Sequence, residues 1–422
     1  MRKIIFLLFV PLILAFLGNC KKPEETKPHK PQKQESREKT KLVLWHSYRG
    51  AEKEALDKII RSFNESEKEI MVESLPIPYD AFADKITAAI PRGHGPDVFI
   101  FAHDRIGDWA MSKVIEPLDL LVQENPSIID NFPDSHIKSL TYKGSLYGLP
   151  MAFKSTALFY NKKLVNKVPG TMDELISIAK KITDPKEEVF GLVYEVGNFY
   201  FHSALFHAFG AKVFDENYRP AFTSKESIES FKFLSSLLKH KIMPEEITST
   251  LVTSLFNQNK AAFVINGPWF LGEIEKSVEF GVAPLPIMDK KSAPSIKEER
   301  RLTPFLTIEA IIMSAKSNYK KEAFKLMTYI TSDNQAEVRL RDGSQTVSNK
   351  RLYEKDDIKS NPIIMAFFEQ QKYAVPMENT PEMRMVWTPI QMAISKFIRG
   401  ETNYKEILES TNKEITSYIE RK

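Results

Sequence analysis

Short apolar runs alternate with amphipathic stretches where the main body of the chain begins. Runs at residues 42–45, 70–72 and 97–101 predict buried strands. Between them, apolar residues recur at helical spacing: Leu56, Ile59, Ile60 and Phe63, then Phe82, Ile86, Ala89 and Ile90. This β-α-β-α-β order predicts an α/β fold with a mostly parallel sheet. Ligands of such sheets bind beyond the carboxyl ends of the strands, so we expect a binding edge at residues 45–50 and 101–107.

The same alternation recurs later in the chain. Thr171 and Glu174 form a capping-box pattern ahead of an apolar stripe, which predicts the start of a helix. Residues 261–265 predict a strand that leads into Asn-Gly-Pro-Trp at residues 266–269. About 380 residues follow position 40, which is more than one hydrophobic core usually supports. We therefore expect two similar lobes that meet at a cleft.

The first twenty residues have the order of an export signal. Two cations precede an apolar run over residues 4–17, which is shorter than the roughly 20 residues that a membrane-spanning helix needs. Leu-Gly-Asn-Cys at residues 17–20 resembles the lipobox of bacterial lipoproteins, although Asn19 replaces the small residue that is usual there. We expect residues 1–20 to be a signal peptide with a lipobox and Cys20 to become the lipidated N-terminus.

Residues 21–40 are predicted to form a disordered tether, because they hold several prolines and no large apolar side chain. Their net charge of +3 and the +2 of the signal leave about −1 of the total +4 for residues 41–422. A near-neutral folded part argues against a nucleic-acid partner. Because Cys20 is the only cysteine, no disulfide can form within the chain.

The sequence patterns of common enzymes and cofactor sites are absent. The chain contains no CxxC, HExxH, Walker phosphate-loop, GxGxxG or GxSxG pattern. His202 and His207 are the closest histidine pair, and a spacing of five does not place both on one helical face. We therefore expect neither a cofactor nor a metal.

Aromatic residues stand at predicted strand and turn ends, together with charged or amide residues. Sugars require this combination, because their ring C–H faces stack on flat aromatic surfaces while their hydroxyls need polar partners. A single aromatic residue more often packs in a core, so the interpretation depends on the whole set.

Five motifs occur in an order and spacing that resemble a known family. They are Gly-Pro-Asp-Val-Phe at 95–99, Phe-Ala-His-Asp-Arg at 101–105, Gly-Ser-Leu-Tyr-Gly-Leu-Pro at 144–150, Tyr-Asn-Lys at 160–162 and Asn-Gly-Pro-Trp at 266–269. Together they resemble the maltose-binding protein branch of extracellular solute-binding proteins, over nearly all of residues 41–422. The resemblance implies a two-lobed periplasmic-binding-protein clamp of type II, each lobe a mostly parallel sheet flanked by helices.

The resemblance also implies a function and a division into lobes. The clamp is expected to capture a di- or oligosaccharide by hinge closure, as a monomer, and to deliver it to the permease subunits of an ABC importer. The expected boundaries are 41–152 plus 303–350 for lobe 1, 157–302 plus 360–422 for lobe 2, and hinge crossings near 152–157, 303–309 and 350–360.

The resemblance assigns two groups of sugar contacts. The aromatic platforms of the family fall on Tyr200, Trp269 and Trp387, all of which remain aromatic here. Its polar contacts from the first lobe fall on Asp104 and Arg105. A carboxylate beside a guanidinium can bridge adjacent hydroxyls through charge-assisted hydrogen bonds.

Five further ligand-binding positions match the family less closely. Arg49 resembles its lysine after the first strand, and Asp84 lies near a second acidic contact. Phe101 stands for a tryptophan, Lys154 for a glutamate near the hinge, and Asn198 for another glutamate that faces the sugar. Because an unpaired polar group costs about 1–3 kcal/mol, these changes argue against maltose itself. A trehalose-like glycoside and an acidic sugar attracted by the cations are equally consistent.

Two other classes of function remain open. A carbohydrate-active enzyme would show the same aromatic residues, but no two acids stand at corresponding strand ends of both lobes. A surface lipoprotein of the same fold that binds a protein partner would explain the loss of sugar contacts. We expect a non-enzymatic sugar-binding lipoprotein, held by its lipid at the periplasmic or extracytoplasmic face of the cell envelope.

Overall fold

Two β-sheets organise residues 39–421, the part of the chain that the computed structural model describes. The predictions for Cys20, the signal peptide and residues 21–38 of the tether lie outside the described residues. The strands are β1 (Thr40–His46), β2 (Ile70–Pro76), β3 (Val98–Ala102), β4 (Thr141–Tyr142), β5 (Ser145–Leu146), β6 (Gly148–Lys154), β7 (Ala157–Asn161), β8 (Phe190–Val193), β9 (Ala261–Asn266), β10 (Phe280–Ala283), β11 (Ile287–Met288), β12 (Arg300–Arg301), β13 (Phe305–Met313) and β14 (Val375–Pro376).

Helices connect and cover these strands. They are α1 (Gly50–Ser66), α2 (Tyr79–Ala89), α3 (Ile106–Met111), α4 (Asp119–Gln123), α5 (Asp134–Ser139), α6 (Met172–Ile182), α7 (Phe199–Ala208), α8 (Lys225–Lys239), α9 (Ser249–Asn257), α10 (Lys320–Thr331), α11 (Asp333–Arg341), α12 (Asp356–Lys359), α13 (Pro362–Gln370), α14 (Met383–Ile398) and α15 (Tyr404–Glu420). Within the described residues, no helix is both long and apolar enough to cross a membrane.

The first sheet confirms the alternation predicted from the start of the sequence. Strand β1 lies between β2 and β3 and is parallel to both. Strand β13 returns from far along the chain and pairs antiparallel with β3 and β6, and its first residues pair with β14. Strands β1, β2, β3 and β6 therefore point in one direction, and β13 and β14 point in the other.

The second sheet has the order β10-β7-β9-β8. Only β8 and β9 form a parallel pair, whereas β7 pairs antiparallel with both β9 and β10. Strands β8, β9 and β10 nevertheless share one direction, and β7 alone is reversed because it enters directly from β6 of the first sheet. Both sheets thus have mostly parallel strand directions, and the expected α/β fold class is confirmed.

The buried apolar residues form two clusters: one surrounds the first sheet and continues onto one face of the second sheet, and the other covers the opposite face of the second sheet. Fully buried residues around the first sheet include Leu44, Phe99 and Ile311, and helices α1 and α10 pack near it. The second cluster contains Leu158, Phe263 and side chains of α14 and α15, which pack against α8. The predicted lobe boundaries stay a prediction.

Candidate functional site

The carboxyl ends of the two sheets lie next to each other where the chain crosses between them. Strand β6 ends at Lys154 and β7 begins at Ala157, so only two residues separate the sheets. Ala157 pairs with Asn266, the last residue of β9, and Lys154 pairs with Thr307 near the start of β13. The predicted binding edges after β1 and β3 belong to the same side of the first sheet.

A tight turn after β3 holds the predicted polar pair. Residues 103–105 form one turn of 3₁₀-helix. Two hydrogen bonds of the His103 ring hold this turn in place. The His103 Nδ1 accepts a hydrogen bond from the Ile308 N–H at 2.9 Å, and its Nε2 donates to the Met377 carbonyl at 2.7 Å. Burial lowers the pKa of His103 to about 4, so the ring is neutral and keeps this pattern at neutral pH. The turn therefore presents Asp104 and Arg105 from a fixed backbone.

Asp104 and Arg105 each carry a buried polar atom without a hydrogen-bond partner within residues 39–421. These atoms are Asp104 Oδ1 and Arg105 Nε. The other carboxylate oxygen, Asp104 Oδ2, lies 3.6 Å from Arg105 Nε. Asp104 is only 8% exposed, and burial raises its pKa to about 6 although Arg105 opposes this shift. Buried polar groups are normally paired, so this acceptor and this donor are available for a ligand.

The three predicted platforms belong to one aromatic cluster beside the second sheet. Tyr200 lies at the start of α7, Trp269 in the 3₁₀ turn after β9, and Trp387 in α14, and each is half-buried. The rings of Tyr200 and Trp269 are 6.1 Å apart. Phe305 joins the set, because its ring lies 6.2 Å from both Tyr200 and Trp387. The structure thus brings the three predicted aromatic residues together.

The Tyr200 side chain also reaches the first sheet. Its hydroxyl lies 3.3 Å from the Thr307 hydroxyl on β13. Burial raises the pKa of Tyr200 to about 12, so the phenol stays protonated and can donate. The aromatic cluster therefore stands close to the edge on which Asp104 and Arg105 lie.

Gly267 allows the Trp269 indole to lie against the backbone. A Cβ atom at position 267 would be 2.1 Å from atoms of that indole, which is far inside contact distance. Gly272 at the end of the same turn differs, because a Cβ there would meet nothing within 4 Å. The glycine in Asn-Gly-Pro-Trp is therefore required by the position of the tryptophan ring.

Lys154 is enclosed in a buried network of charges. Its Nζ lies 2.9 Å from Glu309 Oε1 and 3.5 Å from Glu52 Oε1. The Tyr48 hydroxyl donates to the other oxygen of Glu309, and Gln345 donates to Glu52 at 3.2 Å. Burial by itself would lower the pKa of Lys154, but the two carboxylates outweigh it and hold this pKa above its ordinary value. The ammonium is therefore paired within the protein.

The other predicted positions have different surroundings. Arg49 is a surface residue whose guanidinium lies 3.6 Å from Glu273, and Asp84 is exposed on α2. Asn198 caps α7 by accepting a hydrogen bond from the Tyr200 N–H at 3.0 Å. Each of the three cations predicted to attract an acidic sugar has a carboxylate within 4 Å: Glu273 for Arg49, Asp104 for Arg105, and Glu309 and Glu52 for Lys154. This compensation argues against an acidic sugar.

The assignment of Phe101 stays a prediction, and another aromatic side chain covers its ring. Phe101 was assigned as a sugar contact in place of a family tryptophan, but it is only 5% exposed. The ring of Tyr79 stacks on it at 5.4 Å with an angle of 18° between the ring planes, and Tyr79 is 58% exposed. The accessible aromatic surface at this place therefore belongs to Tyr79.

Sequence reasoning did not identify Tyr79 or Glu309. Tyr79 begins α2 just beyond the carboxyl end of β2, and that edge was considered only for β1 and β3. Glu309 is the single charged residue in the otherwise apolar or hydroxyl-bearing strand Phe305–Met313, which was an available signal.

Comparison with known proteins assigns the family. Residues 47–337 match the family model described as bacterial extracellular solute-binding protein. A protein of Pyrococcus abyssi named maltotriose-binding protein is 31% identical over 385 residues, which cover 89% of this chain and 82% of the relative. A cyclo/maltodextrin-binding protein solved with maltotetraose is 32% identical with a TM-score of 0.76, covering 90% of this chain and 98% of that one.

A second solved structure supports the same assignment. The Thermus thermophilus maltotriose-binding protein with maltotriose is 28% identical with a TM-score of 0.81, covering 90% of this chain and 100% of that one. These similarities also confirm the predicted two-lobed clamp of type II. The chain therefore belongs to the bacterial extracellular solute-binding protein family, in its maltose- and oligosaccharide-binding branch.

Proposed function

We propose that this protein is the substrate-binding component of an ABC sugar importer and captures a malto-oligosaccharide of two or more glucose rings. The observation that carries the proposal is the combination of Asp104 Oδ1 and Arg105 Nε, which are buried and have no hydrogen-bond partner within the described residues, with the nearby cluster of Tyr200, Trp269 and Trp387. A pyranose ring and its hydroxyls require an aromatic surface beside polar atoms that are free to form hydrogen bonds.

The sugar is proposed to bind between the carboxyl edges of the two sheets and to hold them together. Contacts between elements of the two sheets support this: the Tyr200 hydroxyl lies near Thr307, and Arg49 near Glu273. The short crossing between Lys154 and Ala157 is proposed as one hinge. Closure around the ligand then creates the form that the permease recognises. The lipid on Cys20 is proposed to keep the exported protein at the membrane that carries the importer.

A malto-oligosaccharide is preferred over the other sugars for two reasons. The relatives described above are named for, or were solved with, maltotriose, maltodextrin or maltotetraose. Lys154 replaces a family glutamate, and this replacement was an argument against maltose. It no longer argues against a malto-oligosaccharide, because Glu309 supplies a carboxylate 2.9 Å from the Lys154 ammonium. An acceptor is therefore retained near the crossing, on a different strand.

Thermal unfolding of the purified protein in the presence of sugars tests the proposal. Maltose, maltotriose and maltotetraose would be compared with trehalose, a galacto-oligosaccharide and a glucuronate-containing disaccharide. A bound sugar at 100 times its Kd adds about 2.7 kcal/mol to the free energy of unfolding, so a clear upward shift is expected with maltotriose or maltotetraose.

Other outcomes contradict the proposal in recognisable ways. A shift with trehalose or the acidic disaccharide alone would retain a sugar importer and reject the malto-oligosaccharide. No shift with any sugar, for a sample shown to be folded and ligand-free, would favour the lipoprotein that binds a protein partner. Cleavage of the sugar on prolonged incubation would indicate a carbohydrate-active enzyme.

Gly267→Ala is expected to weaken maltotriose binding about tenfold, or about 1.4 kcal/mol, because the new methyl group must displace the Trp269 indole. Gly272→Ala in the same turn is the matched control and is expected to bind like the wild type, since its methyl group enters open space. Isothermal titration calorimetry would measure both. Equal affinity of the two variants would show that the indole position does not matter for binding.

A further inference from the structure

Tyr79 occupies a position on the first sheet where a sugar ring can reach it. Strand β2 ends at Pro76, and after two intervening residues α2 begins with Tyr79. The Ile77 N–H donates to the His46 carbonyl at the end of β1, which fixes this connection to the neighbouring strand at 2.8 Å. Tyr79 therefore lies at the carboxyl edge of the first sheet, the edge that also holds Asp104 and Arg105.

The Tyr79 ring packs on a buried aromatic ring, and much of the residue is exposed to solvent. It is nearly parallel to the Phe101 ring, and Phe101 is nearly parallel to Phe82 at 5.2 Å and 13°. Phe101 and Phe82 are buried, whereas Tyr79 is 58% exposed. A flat ring that rests on a rigid aromatic core and leaves much of its own surface to solvent suits stacking against another flat group.

The Tyr79 hydroxyl lies in the electrostatic environment of the proposed site. Its pKa is raised well above the ordinary value, first because neighbouring protein atoms desolvate it, and further because the Asp104 carboxylate and Tyr200 are nearby. Water reaches more than half of the side chain, yet protein surrounds it closely enough to disfavour its charge. Both observations agree with a side chain that stands in a cleft and not on an open surface.

We infer that Tyr79, stacked on Phe101, is a sugar platform of the first sheet that faces the ligand from the side opposite the cluster of Tyr200, Trp269 and Trp387. This inference rests on the proposed function and deepens it. A pyranose ring has two C–H faces, so aromatic surfaces contributed by both sheets can enclose it. Stacking of the sugar on aromatic residues of both sheets would then stabilise the closed form of the cleft.

Calorimetric titration of purified Tyr79→Ala and Tyr79→Phe with maltotriose tests the inference. Tyr79→Ala is expected to lower the affinity at least tenfold, whereas Tyr79→Phe, which keeps the ring, is expected to stay within threefold of the wild type. Tyr319→Ala is the matched control, because Tyr319 is a 43% exposed tyrosine at the start of another helix, α10. It is expected to bind like the wild type. All variants are expected to unfold close to the wild-type temperature without sugar, since both tyrosines are about half exposed.

Each remaining outcome overturns a defined claim. If Tyr79→Ala binds maltotriose like the wild type, Tyr79 is not a platform, although the proposed function survives. If Tyr79→Phe is as weak as Tyr79→Ala, the hydroxyl and not the ring makes the contact, and the stacking inference is wrong. If the wild type binds no malto-oligosaccharide, the proposed function itself fails and the inference fails with it.

Discussion

Lys154→Met is expected to lower the free energy of unfolding by about 3–5 kcal/mol at pH 7, the usual cost of removing one partner from a buried ion pair. The substitution keeps an unbranched side chain that is one atom shorter and removes the ammonium that lies 2.9 Å from Glu309 and 3.5 Å from Glu52. These two carboxylates are also largely buried, with side-chain exposures of 9% and 17%. Without Lys154, they lose the cation nearest to both of them. Urea denaturation followed by circular dichroism would measure the loss.

The pH dependence of this loss has a defined sign. In the wild type, burial already raises the pKa of Glu52 while Lys154 lowers it, so removal of Lys154 must raise that pKa further. A carboxyl group whose pKa is higher in the folded state destabilises the protein increasingly as pH rises from its unfolded-state pKa to its folded-state pKa. The deficit of Lys154→Met is therefore expected to be largest at neutral pH and to shrink as the pH falls toward 4.

Two companion variants make this prediction specific. Lys167→Met removes a lysine from an exposed pair with Glu174, whose side chains are 74% and 41% exposed, and is expected to cost less than about 1 kcal/mol. Lys154→Met combined with Glu309→Gln removes one charge of each sign and is expected to be more stable than Lys154→Met alone. If Lys154→Met is no less stable than Lys167→Met, the network does not stabilise the crossing region.

The sequence was sufficient to predict structural elements that depend on interactions between residues close together in the chain. The strands and helices of residues 42–101 could be predicted, because hydrophobic periodicity depends on residues that are close together in the sequence. The capping box is likewise present, since the Thr171 hydroxyl accepts a hydrogen bond from the Glu174 N–H at 3.2 Å. The Glu174 carboxylate, however, accepts from the Gly170 N–H at 2.7 Å, one residue before the expected partner.

The sequence was insufficient where distant segments meet. Glu309 is 261 residues from Tyr48, and no local pattern indicates that β13 inserts beside β3 and places this carboxylate next to Lys154. The isolated charge at Lys154 therefore suggested a free donor in the cleft. The cover of Phe101 by Tyr79 was unpredictable for a related reason, because it depends on how α2 packs over β3. Motif resemblance identified the family, but it could not show which side chains the neighbouring elements had already paired or covered.

The ionised Asp104 carboxylate is expected to lower the free energy of unfolding and to raise the affinity for sugar. Its pKa is raised from 3.8 to about 6, chiefly by burial. Between these values the folded state keeps a proton that the unfolded state has released, so the free energy of unfolding falls as pH rises through this range. The difference is about two pH units, each worth about 1.4 kcal/mol, which amounts to about 3 kcal/mol above pH 6.

Asp104→Asn is therefore expected to be more stable than the wild type at pH 8, by about 2–3 kcal/mol, because it removes the cost of a buried charge. It is also expected to bind maltotriose about 100-fold more weakly, since hydrogen bonds to charged groups contribute about 1.5–3 kcal/mol and the neutral amide offers one acceptor fewer. Urea denaturation and calorimetry at pH 5 and pH 8 would measure both effects.

The pH profile separates this explanation from a general disturbance of the site. Wild-type affinity is expected to rise as pH increases through about 6, where Asp104 ionises in the free protein, whereas the affinity of Asp104→Asn should stay flat there. Asp130→Asn, at an exposed aspartate, is the matched control and is expected to change neither property. Lower stability together with unchanged affinity in Asp104→Asn would mean that the carboxylate serves the fold. Higher stability together with lost affinity would identify it as a group whose burial the protein tolerates because the sugar needs it.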